Sequence, residues 1–184
     1  MKNKIAITLV TLSVLLAGTF FYFNGKRYVV VISQEQIDST LANRFPVSKK
    51  HLLIFNITYS NPQVTLLEDH DRIQVGLDAT LNIRLNKEPK ELGGGCTITS
   101  GIRYDSETQE FFLDDAKFDR LEIQGIPDAY LDQVTQFASE AAREFLTSKA
   151  IYRLKAGDTK TSTAKLLLKD VQVRGKSVHV TLGL

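Results

Sequence analysis

The sequence predicts an α+β fold: a strongly twisted antiparallel sheet wrapped around one long C-terminal-half helix, with a short N-terminal helix and an N-terminal membrane-anchor helix. Three observations carry this. After residue 30, one long stretch, Pro127 to Lys149, has apolar residues at helical spacing. Several other stretches alternate with period two, most strictly Ile73 to Leu85. Near the start, Ile5 to Phe23 forms a run of 19 residues without a charge.

With 184 residues, 43% of them hydrophobic, the chain can bury one sizeable core. Residues 1–27 read as a signal anchor or signal peptide with a short basic flank, and 28–184 as a single α+β domain. Residues 1–34 hold four of the 23 basic residues and none of the 21 acids, so the remainder is nearly neutral. No basic stripe with interleaved aromatics is present, which argues against a nucleic-acid partner. The last 38 residues are locally basic, a solvated face or a surface for an anionic membrane. Cys96 is the single cysteine, which excludes an intrachain disulfide and leaves the compartment to the N-terminus.

That N-terminus has Lys2 and Lys4 before the apolar run and Lys26 and Arg27 after it. A run of 19 residues approaches the ~20 needed to span a bilayer, and no small-x-small cleavage site is clean. The expectation is an uncleaved anchor through residues 5–23, with cleavage as the alternative. The domain is then exported, at the inner membrane with its soluble part in the periplasm, or free in the periplasm if the signal is removed.

Tyr28 to Ile32 reads as a strand. Ser33 with Gln36 has the form of a capping box, starting a helix with Ile37, Leu41 and Phe45 on one face until Pro46 stops it. From His51 to Tyr59 the period is two, ending at Ser60-Asn61-Pro62, and Val64 to Leu67 reads as a separate strand closed by a charged turn, Glu68 to Asp71. In the longest strand, Ile73, Val75, Leu77, Ala79, Leu81, Ile83 and Leu85 share one face. At about 3.3 Å per residue it exceeds 40 Å, so it must twist or bend.

Pro89 and Gly93-Gly94-Gly95 read as a break, followed by a strand from Cys96 to Tyr104 and a hairpin loop at Ser106-Glu107-Thr108. Phe111 to Ile123 is another long strand, with a change of phase near Arg120 and Leu121 that suggests a bulge.

The long helix follows. Tyr130, Leu131, Val134, Phe137, Ala138, Ala141, Ala142, Phe145 and Leu146 cover roughly half its girth, more than one flat face can bury. Pro127 and Asp128 suit its start and Lys149 its end. Ile151 to Leu154 is a short strand, Ala156 to Thr161 a polar loop, Thr163 to Leu168 a helical turn, and Val171 to Leu182 a closing hairpin turning at Arg174-Gly175-Lys176-Ser177. A sheet curled around the helix satisfies every apolar face.

Taken in order, YVVVISQEQIDSTLANRF, RIQVGLDATLNIRL, FFLDDAKFDRLEIQ, AIYRLKAGD and AKLLLKDVQVRGKSVHVTL resemble the YceB-like family of bacterial envelope lipoproteins, a family of unknown function. The resemblance covers roughly residues 28–184. It implies a long helix gripped by a twisted antiparallel sheet, similar to the lipid-binding modules of bactericidal permeability-increasing protein. One departure matters: where the family's lipobox ends in cysteine, Leu16-Ala17-Gly18 is followed here by Thr19. Without a thiol there is no acylation at that position, so a proteinaceous anchor replaces the lipid.

Candidate chemistry is sparse. His51, His70 and His179 are far apart, with no partner at ligand spacing, so no metal site is expected. Cys96 has no assignable base, and Asp114, Asp115 and Asp119 read as exposed strand carboxylates rather than an acid–base pair. No cofactor loop is recognisable. The alternation of Tyr130, Phe137 and Phe145 with Ala138, Ala141 and Ala142 is either ordinary packing or a gap between helix and sheet. Such a gap would be lined by Leu77, Leu81, Tyr130, Val134, Phe137, Ala141 and Phe145 and would accept an acyl chain. The expected function is therefore non-enzymatic: an envelope protein binding an apolar ligand, above all a lipid, or a scaffold in the envelope without an internal ligand.

Overall fold

A computed structural model describes residues 27–51, 54–85, 88–154 and 166–183. The anchor expected at residues 5–23 lies outside the described residues, as does the first half of the helical turn expected at Thr163 to Leu168. Among the described residues no helix is long and apolar enough to cross a membrane.

Strand β1 (Arg27–Ser33) runs into helix α1 (Gln34–Ala42), and the expected capping box forms in full. Ser33 Oγ accepts from Gln36 N at 3.2 Å while Gln36 Oε1 accepts from Ser33 N at 2.9 Å. Strands β2 (Val47–His51), β3 (Phe55–Leu67), β4 (Arg72–Leu85), β5 (Glu88–Asp105) and β6 (Glu110–Ile123) follow. Helix α2 (Asp128–Ser148) comes next, then β7 (Ala150–Arg153), β8 (Leu167–Arg174) and β9 (Ser177–Gly183).

The strands form two antiparallel sheets. Six are in the order β2-β3-β4-β5-β6-β7 and three in the order β1-β9-β8. The expectation of a single sheet is corrected by the pairing of β1 with β9, which closes the chain's two ends into a sheet of their own. A hydrogen bond from Val173 N to Asp71 Oδ1, 2.7 Å, ties that sheet to the charged turn between β3 and β4. The Asp71 backbone there is left-handed, with φ 50°.

Several strand boundaries differ from the expectation. Ser60-Asn61-Pro62 does not end a strand: β3 continues through it, absorbing the irregularity as a bulge between Ser60 and Gln63 with Asn61 at φ 49°. The short edge strand β2 has no strong alternation and is held by its register with β3, Val47 opposite Tyr59.

Gly93-Gly94-Gly95 does not break the chain either. A Cβ on Gly94 would stand 1.8 Å from the Glu122 carbonyl oxygen and one on Gly95 3.2 Å from that of Leu77. Glycine is there because neighbouring backbone approaches too closely for a side chain. In the C-terminal region, Leu167 and Leu168 already belong to β8.

Helix α2 spans the expected residues, with Pro127 as the residue before its first turn. Its closest backbone approaches are to β6 and to β3, not to the β4–β5 pair that lies between them in the sheet. A helix about 10 Å across can do this only if the sheet curls up on both sides of it. The enclosure is a half-barrel trough, not the closed sleeve expected. Asp132, Gln133, Gln136, Glu140 and Arg143 face solvent, and Leu131 is 46% exposed. Fully buried positions on the helix are Val134, Ala138, Ala141, Ala142 and Leu146, a narrower stripe than half the circumference. Helix α1 lies against β3 and β7 and buries Ile37 and Leu41 in the same core.

Candidate functional site

The two flanks of α2 meet the sheet differently. On the flank toward β2 and β3 contact is tight: the Tyr59 hydroxyl donates to the Ala138 carbonyl at 2.6 Å, and the Tyr130 and Phe55 rings meet edge to face at 5.9 Å. Phe145 packs against Phe45 at 5.0 Å, and Lys49 pairs with Glu144 at 2.7 Å on the surface above them. These interactions bolt one side of the helix to the sheet.

On the other flank α2 also approaches β6 closely along its backbone, and a groove opens at the surface between their side chains. A groove of about 750 Å³ runs between Asp114 to Phe118 of β6 and the helix residues Thr135, Ser139, Arg143 and Thr147. Four residues at successive i, i+4 steps lie along one side of a helix, so the wall is continuous. β6 bulges where it borders the groove. Ala116 follows Leu113 by three residues rather than two on the buried face, and Asp115 takes up the difference with φ 46°. In register, Lys117 faces Thr99 and Asp114 faces Gly101.

The bulge is held from both sides. Ser100, fully buried, donates through Oγ to the Asp114 carbonyl at 2.7 Å, and Arg72 Nη2 donates to the Asp115 carbonyl at 2.8 Å and to its carboxylate at 3.0 Å. Such a bulge is a built feature, and its kind is over-represented beside binding sites.

The groove is amphiphilic. Ala116 and Phe118 supply apolar wall; Arg143 and Lys117 supply positive charge. Asp115 is already engaged by Arg72, with Lys117 at 3.9 Å, while Asp114 adds an exposed carboxylate. Ser139 Oγ and Thr147 Oγ1 donate to the carbonyls of Gln136 and Arg143, leaving their lone pairs for a ligand's donors. At this volume the groove is within the range of small-molecule sites.

The seven residues named from the sequence do come together, but as core. Leu77, Leu81, Val134 and Ala141 are buried, and Tyr130, Phe137 and Phe145 pack partly buried against the same cluster. They sit beneath the helix and on its β3 flank, whereas the groove opens on the β6 flank. Leu77 also borders a recess of about 200 Å³ beside Asn61, Gly76 and Cys96.

Thr135, Ser139, Arg143 and Thr147 went unnamed at the sequence level, although their i+4 spacing was readable. The bulge at Asp115 was readable too, since Phe111 and Leu113 step to Ala116 and Phe118 out of phase. The bulge expected near Arg120 is present, with Asp119 as the extra residue.

Other candidates for chemistry are structural. Burial pushes the Cys96 thiol up to about 12, so it stays protonated at neutral pH. Asp119 accepts from Thr99 Oγ1 at 2.6 Å. Among the described residues no group of three His, Cys, Asp or Glu side chains is placed to hold a metal ion.

The sequence matches the family described as "Protein of unknown function (DUF1439)" over residues 32–176. The chain belongs to this family. The match runs from the end of β1 to the turn between β8 and β9, and so takes in both walls of the groove. No curated protein matches the chain. Among solved structures it is similar to the crystal structure of a lipopolysaccharide binding protein, at 11% identity and a TM-score of 0.32. That alignment covers 89% of this chain and 40% of the other, so the chain spans well under half the length of that structure. At so low a score the similarity carries no argument about this DUF1439 protein.

Proposed function

We propose that this DUF1439 protein is a YceB-like envelope protein, held at the outer face of the inner membrane by residues 5–23, whose domain binds a lipid or similar amphiphile in the groove between α2 and β6. The observation that supports this is the surface groove of about 750 Å³ beside a held bulge, with both apolar and cationic wall. An acyl chain would lie along Ala116 and Phe118, anionic headgroup oxygens would meet Arg143 and Lys117, and headgroup hydroxyls would donate to Ser139 and Thr147. The assignment includes no catalytic step. Removal of the leader, giving a soluble periplasmic form, leaves the binding role unchanged.

The test uses the full chain. Ser139→Trp would fill the groove from a half-buried helix position outside the fully buried stripe. Uptake of a fluorescent fatty acid should fall at least tenfold with the far-UV circular dichroism unchanged. Undiminished uptake, together with no lipid in the mass spectrum of natively purified protein, would remove the proposal.

A scaffold role without internal ligand is the second possibility, and one observation favours it: the seven residues expected to line a gap are packed into the core. Crosslinking in cells that yields a stoichiometric protein partner and no lipid would support it.

A further inference from the structure

The outward face of the β1-β9-β8 sheet gathers apolar side chains that the core does not use. Of the five large hydrophobic residues exposed among those described, three belong to it: Val29 at 59%, Val31 at 50% and Leu167 at 54%. Register places them together. Arg27 and Leu167 both pair with Gly183, Val29 pairs with Thr181 and Val31 with His179. Residues directly opposite one another share a face, and so do alternate residues along a strand. Val30, Ile32, Val178, Val180 and Leu182 point the other way and are buried, so the sheet's packing is complete without the outward valines. Single exposed valines need no explanation, but a group on one face marks a contact surface.

Charge and tether identify what covers it. Arg27, Lys169, Arg174 and Lys176 lie in these strands and their connecting turn, against Asp170 as the acid there. Arg174 donates to the neutral amide of Gln172 and so keeps its charge available. Three residues separate Phe23, the end of the uncharged run, from Arg27, the first residue of β1. At no more than ~3.6 Å per residue, β1 begins within about 14 Å of that run.

We propose that this face rests on the anionic surface of the membrane that holds residues 5–23, with Val29, Val31 and Leu167 entering the headgroup layer and the four basic residues facing lipid phosphates. It rests on the anchor assignment above. Apolar insertion together with basic residues at an anionic surface is a recognised way to lie on a bilayer, and its electrostatic part is screened by salt.

The experiment reconstitutes the full chain in phosphatidylethanolamine and phosphatidylglycerol vesicles carrying spin-labelled acyl chains. An environment-sensitive fluorophore is attached through Val31→Cys or, on the solvent face of α2, through Gln136→Cys; buried Cys96 stays unlabelled. The Val31 probe should be quenched at least threefold more than the Gln136 probe, and the excess should halve or more with Arg174→Glu and Lys176→Glu together.

Vesicle flotation separates the two assignments. A chain that floats but is quenched equally at both positions keeps its anchor and loses the docked face, and a chain that does not float loses both. Self-quenching at Val31 that grows with protein concentration in detergent would give the face to a second copy and overturn membrane docking.

Discussion

The Tyr59 hydroxyl is the clearest single-residue link between sheet and helix, a buried donor on the Ala138 carbonyl. Tyr59→Phe should cost about 1 kcal/mol in denaturant unfolding, the usual net worth of one such bond. Burial, with Cys96 nearby, holds the Tyr59 hydroxyl well above its ordinary value of 10.0, and burial raises the Cys96 thiol from 9.0 to about 12. Both groups keep their protons in the folded state where the unfolded chain would release them. Their stabilisation is complete below about pH 9 and declines as the pH rises through 9 to 12. Alkaline unfolding curves should therefore show a steep loss above pH 9 in the native chain and a shallower one in Tyr59→Phe. The same shift predicts that Cys96 resists alkylation at pH 7.5 until denaturant is added. Position and type of both residues are visible in the sequence. Their burial is not, because it depends on which face the curled sheet turns inward.

At the scale of elements, glycines and caps decide geometry. Gly93 and Gly94 are chemically identical neighbours, yet a Cβ at Gly93 meets nothing within 4 Å while one at Gly94 would collide with backbone. Gly93→Ala should leave the melting temperature nearly unchanged. Gly94→Ala should destabilise by roughly 2 to 4 kcal/mol, the class of effect expected where a buried backbone must shift. Equal effects would contradict the close approach of β5 to β6. Ser33→Ala removes one half of the capping box and should cost about 1 kcal/mol. The capping box was legible because its partners are three residues apart. The role of the glycine run was not, because a turn and a tight strand crossing make the same local demand, and only the distant β6 distinguishes them.

For the molecule as a whole, the trough makes α2 two-sided, bolted by side chains to β2 and β3 on one flank and bordering a surface groove with bulged β6 on the other. An added side chain should behave oppositely on its two aspects. Ala141→Phe, in the packed stripe, should overpack and cost about 1 to 3 kcal/mol, while Ser139→Trp, in the groove, should leave stability within about 0.5 kcal/mol. Thermal melts of the two variants check this directly. An apolar stripe that looked wide enough for a closed sleeve proved narrower because Leu131 faces solvent and the three aromatics are only partly covered.

Period-two and period-3.6 patterns in the sequence were enough to place the long helix and the inward face of β4, since hydrophobic periodicity is local. Only the tertiary structure decided that β1 pairs with β9 in a sheet of its own, that the glycine run lies within a strand, and that the opening between helix and sheet falls on the Thr135–Ser139–Arg143–Thr147 flank. Those outcomes depend on backbone approaches between residues 20 to 150 positions apart in the chain. The one-residue bulge at Asp115 that borders this opening is likewise held by residues of other strands, Arg72 and Ser100.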